Sequence, residues 1–315
     1  MKLRYLDRQE HGRSRALYEE VFVEDEQAFV DAYYQIKAAD NEILVAEEDG
    51  EIVSMLHRNP YTFWLRGERV PADYLVAVAT RVAFRHRGLM RALLTRALRD
   101  MKEQEYPLTF LMPADEAIYT PFDFRLMGND DEEGLAQLGP EELAEDYDLY
   151  PVKDAAYERR HISWPEWETT PMMLRLVHLP AFVKRIGAER EQSLLVKIED
   201  SILAENDGVF LWSFSEEGSA LAPTDGEPEI GISIADLGSF LCGMMVPSVK
   251  YFVHVYAPFL EWINPCALLT DAYLHLSMQG ANWNVCFDLL MLAGIGIVFY
   301  GISYLFMRRQ QYESL

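Results

Sequence analysis

An arginine-rich turn stands immediately before an apolar helical pattern in the first part of the chain. Residues 85–91 read RHRGLMR, with three arginines around Gly88. The first backbone N–H groups of a helix have no intrahelical partner and lie at the positive end of the helix dipole, so a helix start attracts anions. Glycine allows an anion close to the backbone, and Arg85, Arg87 and Arg91 add positive charge beside it. The spacing predicts an anion-binding turn; the alternative is a turn whose arginines only face solvent.

The elements around this turn alternate between strand and helix. Two strand-like runs over residues 43–56 flank Asp49-Gly50, a dipeptide suited to a tight hairpin. A strongly apolar strand over 74–79 precedes the turn, and apolar residues then recur with a helical period over 88–105. This alternation predicts an α/β domain in which the turn joins a buried strand to a helix.

Composition limits the classes of partner. The chain has 315 residues, is 50% hydrophobic, and contains 51 Asp and Glu against 28 Lys and Arg. A nucleic-acid backbone requires a basic protein surface, so this balance argues against nucleic-acid binding and favours cationic partners. The three cysteines have no metal-type spacing, and the N-terminus has no apolar run typical of a signal peptide. We expect a cytoplasmic enzyme part without a metal.

The segment VATRVAFRHRGLMRALL, residues 78–94, resembles the acetyl-coenzyme A binding segment of the GNAT superfamily of N-acetyltransferases. The family signature is Arg or Gln, two residues, Gly, one residue, then Gly or Ala, and Arg85 and Gly88 match it. Met90 replaces the last small residue, a departure typical of the enhanced-intracellular-survival (Eis-like) branch. The resemblance implies that the edge of a splayed strand pairs with the pantetheine arm and that the turn holds the diphosphate. The residues implied are Val78, Ala79 and Thr80 at the strand edge, and Arg85, His86, Arg87, Gly88, Leu89, Met90 and Arg91 at the turn.

A second segment, IYTPFDFRL at residues 118–126, resembles the YxxFGF-like segment of the same superfamily, with Asp123 where glycine is common. The resemblance places Tyr119 at the position of the tyrosine general acid. Such a phenol can protonate the coenzyme A thiolate that leaves after an amine attacks the thioester. The alternative is a buried structural tyrosine. No residue is singled out as the base for the acceptor ammonium, although His57, at the end of a strand, is one candidate.

The middle of the chain indicates a linker and a second domain. Residues 127–169 are acidic and rich in turn formers, as expected of a linker. Residues 170–236 contain a strand, an amphipathic helix and two further strands around Asn206-Asp207-Gly208. This region resembles part of the α+β sterol-carrier-protein-like domain that follows the acetyltransferase core in the Eis-like branch. We interpret it as a companion to the enzyme and not as a lipid carrier.

Residues 237–315 differ in kind from the rest. Their first part, with its INP and LLTDAY segments, resembles the last extracytoplasmic stretch of drug-exporter-type ABC transporter permeases. Residues 288–306 are apolar over a length sufficient for a transmembrane helix, and MRRQQYESL follows as a basic cytoplasmic end would. A buried core helix is the alternative. A single span with this orientation would separate the enzyme from cytosolic acetyl-coenzyme A. A second, partial insertion through residues 252–263, a reversed span, or a chain joined from two genes would resolve this conflict. We favour the last, a permease-like tail that would associate with or anchor to the membrane.

The motifs and the tail leave three functions open. We favour a GNAT N-acetyltransferase whose domain covers residues 1–126 and which transfers acetyl from acetyl-coenzyme A to a primary amine by direct attack. The acceptor is expected to be a cationic small molecule or a peptide. The second function is a non-catalytic acetyl-coenzyme A binding module, which a coenzyme A release assay would distinguish. The third is a fragment of a membrane-transport permease, which would need more spans and an ATPase partner.

Overall fold

The computed structural model describes residues 1–126, 149–160, 172–188, 191–242, 289–290 and 292–293. The chain divides into two compact units, Met1–Met244 and Met245–Leu315. The strands described are β1 (Lys2–Tyr5), β2 (Glu42–Glu48), β3 (Glu51–Leu65), β4 (Glu68–Thr80), β5 (Leu108–Leu111), β6 (Arg125–Leu126), β7 (Leu149–Pro151), β8 (Met173–Leu176), β9 (Gln192–Glu199), β10 (Gly208–Ser215), β11 (Gly218–Pro223) and β12 (Ile230–Ser233). The helices described are α1 (Arg15–Val21), α2 (Gln27–Ile36), α3 (Leu89–Glu103), α4 (Glu116–Tyr119), α5 (Ala155–Arg160), α6 (Leu179–Val183) and α7 (Ile234–Leu241). Short 3-10 helices cover Arg8–Ser14, Val82–Phe84 and Thr120–Phe122.

The first sheet is mixed and has the strand order β1-β2-β3-β4-β5-β8-β6, with β7 paired to β3 beyond the start of β2. Its pairs are antiparallel except for β4 and β5, which run parallel. A parallel pair needs a crossover, and α3 provides it between the end of β4 and the start of β5. This arrangement confirms the predicted α/β class.

Two tight turns build the β2–β3–β4 meander. Asp49 and Gly50 have φ angles of 53° and 84°, and Arg66 and Gly67 have φ angles of 48° and 81°. A two-residue hairpin with positive φ at both positions matches the twist of the strands it joins, which explains the preference for glycine at the second position. The predicted hairpin at Asp49-Gly50 is confirmed.

Helices cover both faces of the first sheet. One face carries α3, whose buried residues recur on a single side of the helix, as the apolar period predicts: Leu89, Leu93, Leu94, Ala97, Leu98 and Met101. The other face carries α1 and α2, whose aromatic residues Tyr18, Phe29 and Tyr33 pack in one core cluster with β2, β3 and β4. The sheet is therefore covered on both sides around the strands that lead to the arginine-rich turn.

The strand β8, expected in the second domain, lies in the first sheet. It is antiparallel to both β5 and β6, with Thr109 opposite Arg175 and Arg125 opposite Leu174. All four residues of β8 are buried. In the described part of the chain, β6 pairs with no strand other than β8. The first sheet is therefore completed by a strand that begins 47 residues after β6 ends.

The second sheet has the order β11-β10-β9-β12, with β12 parallel to β9 and the other pairs antiparallel. The predicted strands around residues 206–208 are confirmed as β9 and β10. Val196, Phe210 and Trp212 of this sheet share one hydrophobic cluster with Ala72 and Phe110 of the first sheet. The two sheets consequently bury apolar surface against each other within the same compact unit.

The predicted linker, the permease-like segment and the predicted transmembrane helix fall largely outside the described residues. The short helix α5 and strand β7 are the described part of residues 127–169. Of residues 288–306, only 289–290 and 292–293 are described, and they are helical. Within the described ranges, no helix combines the length and the apolar character required to span a bilayer.

The position of β8 predicts that residues 1–126 do not fold alone. A chain ended at Leu126 leaves β6 without a partner and opens the buried edge of β5, and such edges promote aggregation. A chain ended at Met244 keeps every described strand and serves as the control. Thermal melts followed by circular dichroism should show cooperative unfolding for the longer chain only. A cooperative melt of the soluble 1–126 chain would contradict this expectation.

Candidate functional site

The parallel pairing of β4 with β5 stops before β4 ends. Leu75 pairs with Leu111, whereas β4 continues to Thr80 while still paired to β3 on its other side. From residue 76 onward, no described strand pairs with the second edge of β4. Backbone N–H and C=O groups along this edge are therefore available to a ligand with an extended, amide-containing chain.

A bulge lies just beyond the point where the pairing ends. Ala77 has a φ angle of 52°, which is rare for a residue with a side chain, and the β3–β4 register shifts between Met55 and His57. Bulges bend a strand and increase its local twist, and they are frequent beside active sites. Because β5 ends at Leu111, the bulged part of β4 continues without a described strand on that side.

The three predicted residues of the strand edge lie on this segment of β4. Ala79 is buried, and Val78 and Thr80 are half-buried. The Ser54 hydroxyl donates to the Ala79 carbonyl at 2.9 Å, and the hydroxyls of Ser54 and Thr80 are 2.7 Å apart. These contacts come from the β3 side, so they hold the segment in place without covering its open edge.

The arginine-rich turn follows one short 3-10 helix later. His86 and Gly88 both have positive φ angles, 61° and 76°, and Gly88 is the N-cap of α3 with no side-chain cap. A side chain at Gly88 would meet no atom within 4 Å, so the space in front of the helix start is open. The first backbone N–H groups of α3 have no intrahelical partner, and their partial positive charge faces this space.

Three guanidinium groups surround the turn without a carboxylate partner among the described residues. Arg85 donates from Nε to the Thr80 carbonyl at 3.2 Å. The Cζ atoms of Arg87 and Arg91 lie 4.7 and 4.8 Å from the ring centroids of Phe84 and Phe122. Stacking on a ring restrains a guanidinium while leaving its donors free, so the turn combines fixed amides with positioned cations.

The remaining predicted turn residues have different roles. The Leu89 side chain is buried against Ala46 and Val53, and Met90 packs at the edge of the α3 core. Only their backbone amides can face a ligand at the helix start. His86 is exposed, and its positive φ makes it part of the turn's geometry.

Tyr119 lies at the end of the short helix α4, which Asp115 caps by accepting from the Ala117 amide at 2.9 Å. The side chain is 8% exposed, and its ring meets that of Phe124 edge-on at an interplanar angle of 70°, with 6.1 Å between centroids. Its hydroxyl has no hydrogen-bond partner among the described residues. Burial raises the pKa of Tyr119 to about 12, because the phenolate loses solvation. The phenol is therefore protonated at neutral pH and has a free O–H to donate.

The candidate base is less well placed. His57 is fully buried on β3, and burial lowers its pKa to about 3, so its ring is neutral. Its Nδ1 lies 2.9 Å from the Tyr33 hydroxyl. A group with this pKa cannot deprotonate an ammonium ion to a useful extent.

Several residues that shape the site carry no sequence signal. The positive φ of Ala77 and the stacking of arginines on Phe84 and Phe122 depend on tertiary contacts. Asp115 could be found, because aspartate before a short helical segment is a typical N-cap. Within the described ranges, no group of three or more His, Cys, Asp or Glu residues is arranged to hold a metal ion.

Comparison with known proteins gives two family matches and several similar structures. Residues 2–127 match the acetyltransferase (GNAT) domain family, and residues 179–252 match the sterol carrier protein domain family. No curated protein sequence matches the chain.

Three solved structures resemble the chain over most of its length. A conserved protein from Enterococcus faecalis is 12% identical with a TM-score of 0.59, covering 81% of this chain and 92% of its own. A GCN5-related N-acetyltransferase from Anabaena variabilis is 17% identical with a TM-score of 0.55, covering 80% and 93%. Eis1 from Mycobacterium abscessus is 18% identical with a TM-score of 0.54, covering 77% and 90%. At these identities the likeness is one of fold, and the match to the acetyltransferase (GNAT) domain family covers the residues that hold the open edge of β4 and the start of α3.

Proposed function

We propose that the chain transfers an acetyl group from acetyl-coenzyme A to a primary amine within a ternary complex. The observation that carries this proposal is the open edge of β4 ending beside the uncapped start of α3. The extended, amide-containing pantetheine arm requires an open strand edge, and the diphosphate joined to it requires an anion-binding helix start next to that edge. The proposal places Val78, Ala79 and Thr80 against the pantetheine arm, and the turn from Arg85 to Arg91 around the diphosphate.

The charges at the turn support the fit of a diphosphate. The chain has a net charge of -23, yet Arg85, Arg87 and Arg91 have no carboxylate partner among the described residues. Cations without partners, next to free helix amides, gain free energy when an anion arrives. Gly88 supports close approach, since nothing occupies the space where a side chain would stand.

The reaction forms one bond and breaks one. The nitrogen of the neutral amine attacks the thioester carbonyl, the new C–N bond forms, the C–S bond breaks to release a thiolate, and the proton that the nitrogen loses passes to solvent water. Acetyl-coenzyme A supplies the activated acyl group. Tyr119 donates its O–H to the sulfur as negative charge develops there. Because an ordinary thiol has a pKa of about 8.5, full transfer from a phenol of higher pKa is uphill, so we propose hydrogen-bond stabilisation of the thiolate as the main contribution of Tyr119.

The acceptor is proposed to be cationic. The loop between α1 and α2 contains Glu24, Asp25 and Glu26, and the Tyr18 hydroxyl holds Asp25 with a 2.7 Å hydrogen bond. A strongly acidic surface raises the local concentration of amines.

Gly88→Glu tests the cofactor part of the proposal. The substitution adds a carboxylate and strained backbone at φ 76°, directly where a diphosphate would lie, so acetyl-coenzyme A binding should fall below detection in calorimetry. Gly231→Glu, in β12 of the second sheet, also meets open space and should bind as the parent chain does. Equal affinity in both variants would remove the assignment of the turn.

Tyr119→Phe tests the proton donor. Loss of the hydroxyl should lower kcat by roughly 10²-fold, the lower end of the range for general acids, since a thiolate is a fairly stable leaving group. Acetyl-coenzyme A affinity should stay unchanged. Coenzyme A release against a panel of cationic amines measures kcat, and calorimetry measures the affinity for acetyl-coenzyme A, with Tyr150→Phe on β7 as the control. Full activity of Tyr119→Phe would show that another group stabilises the sulfur.

We also propose that the chain belongs to the Eis-like branch, in which a sterol-carrier-like domain follows the acetyltransferase domain. The match to the sterol carrier protein domain family runs to residue 252, beyond the predicted domain boundary at 236.

We propose that the permease-like tail associates with a membrane through residues 288–306. The full chain should then be found in the membrane fraction of cells, whereas a chain ended at Met244 should not. Equal distribution of the two chains would contradict a membrane role for the tail.

A further inference from the structure

Arg175 is a fully buried cation at the centre of the first unit. It lies on β8, and its guanidinium makes three hydrogen bonds of 2.7 Å. These run from Nε to the Phe122 carbonyl, from Nη1 to the Leu176 carbonyl and from Nη2 to Oδ1 of Asp200. Its Nη2 is also 3.6 Å from the Asp123 carboxylate. One side chain thus binds the segment directly after Tyr119 and the loop after β9.

Asp200 completes this network from the second sheet. Its side chain has no solvent exposure. Besides the Arg175 contact, its Oδ1 accepts from the Ile202 and Leu203 amides at 2.9 Å each, and its Oδ2 accepts from Asn206 at 3.0 Å. The carboxylate therefore fixes the loop over residues 200–206 while it neutralises the arginine.

The same loop reaches the core beneath the proton donor. Leu203 is 1% exposed and belongs to the cluster that contains Tyr119, Phe122 and Phe124. Ser201 donates to Asp123 at 3.5 Å. The tyrosine segment therefore rests on residues that follow it by about eighty positions, through both apolar packing and hydrogen bonds.

We propose that Arg175, held by Asp200, is a positioning residue for Tyr119, so that the loop of the second sheet sets the placement of the proton donor. The inference rests on the proposed function of Tyr119. Phe122 is three residues after Tyr119, and its carbonyl is fixed by Arg175 Nε. A planar guanidinium can bind this carbonyl and the carboxylate at the same time, which a single ammonium cannot do in the same geometry. Small displacements of a catalytic group are enough to slow a reaction strongly.

The test is a double-mutant cycle in the full-length chain. Arg175→Met combined with Asp200→Asn removes the contact with Phe122 without leaving an unpaired buried charge, and the asparagine can still accept from the loop amides. We expect kcat to fall roughly 10-fold or more, with unchanged affinity for acetyl-coenzyme A. In the Tyr119→Phe background the same pair of changes should cause no further loss of kcat, because the group that is positioned is already absent.

A second buried pair provides the matched control. Arg58 and Asp73 form a 2.7 Å contact with side chains 1% and 4% exposed, on the face that carries α3. Arg58→Met with Asp73→Asn should lower the melting temperature to a similar degree and leave kcat near that of the parent. If the variant with Arg175→Met and Asp200→Asn does not fold, Arg175→Lys replaces it in the same double-mutant cycle. Lysine keeps a positive charge beside Asp200 but cannot also donate to the Phe122 carbonyl in the same geometry.

The outcomes separate the inference from the proposed function. Wild-type turnover of Tyr119→Phe would overturn the role of Tyr119 and the inference with it. A slow Tyr119→Phe variant beside a fast Arg175 variant would overturn the inference alone. An equal loss of kcat from the Arg175 changes in both backgrounds would also overturn it, because Arg175 would then act on something other than Tyr119.

Discussion

The end of the β4–β5 pairing at Leu75 and Leu111 is the constraint from which the site follows. If β5 had stayed paired with β4 as far as Thr80, the backbone N–H and C=O groups of β4 would be hydrogen-bonded to β5, and none would be available to a ligand. The pairing ends where β5 ends, and a bulge at Ala77, with an unfavourable φ angle, bends β4 just beyond it. The same bend carries the chain toward the uncapped start of α3, so a strand edge and a helix dipole meet in one place.

The second sheet is part of this architecture and not an appendage to it. Apolar residues of both sheets share one cluster, and β8 completes the first sheet from a position late in the chain. Arg175 adds hydrogen bonds to this apolar packing, to the Phe122 carbonyl and to the Asp200 carboxylate. A buried arginine requires a partner, and Asp200 is supplied from beyond the first sheet. The stability of the acetyltransferase domain and the geometry of its Tyr119 segment are thus shared with residues 172–242.

Local signals in the sequence were sufficient for much of the fold. Asp49-Gly50 specifies its turn through backbone φ, and the apolar period of α3 specifies the face it buries, because both depend on near neighbours. The place of β8 was not predictable from its residues, since a buried apolar strand is compatible with either sheet. The predicted turn and Tyr119 rest on motif resemblance, whereas Ala77, Phe84 and Asp200 shape the site through contacts between distant segments.

Because β8 and Asp200 follow Tyr119 in the chain, the ribosome synthesises the Tyr119 segment before its partners. A ribosome produces about 5–20 residues each second, so Asp200 follows Tyr119 by roughly 4–16 s. The segments of β1 through β5 and of α3 are all synthesised before this interval, because they end at Leu111. Arg125 and Leu126 still lack β8, and the Arg175–Asp200 contact does not yet exist. The nascent chain therefore contains its arginine-rich turn and Tyr119 several seconds before the residues that anchor the tyrosine segment are synthesised.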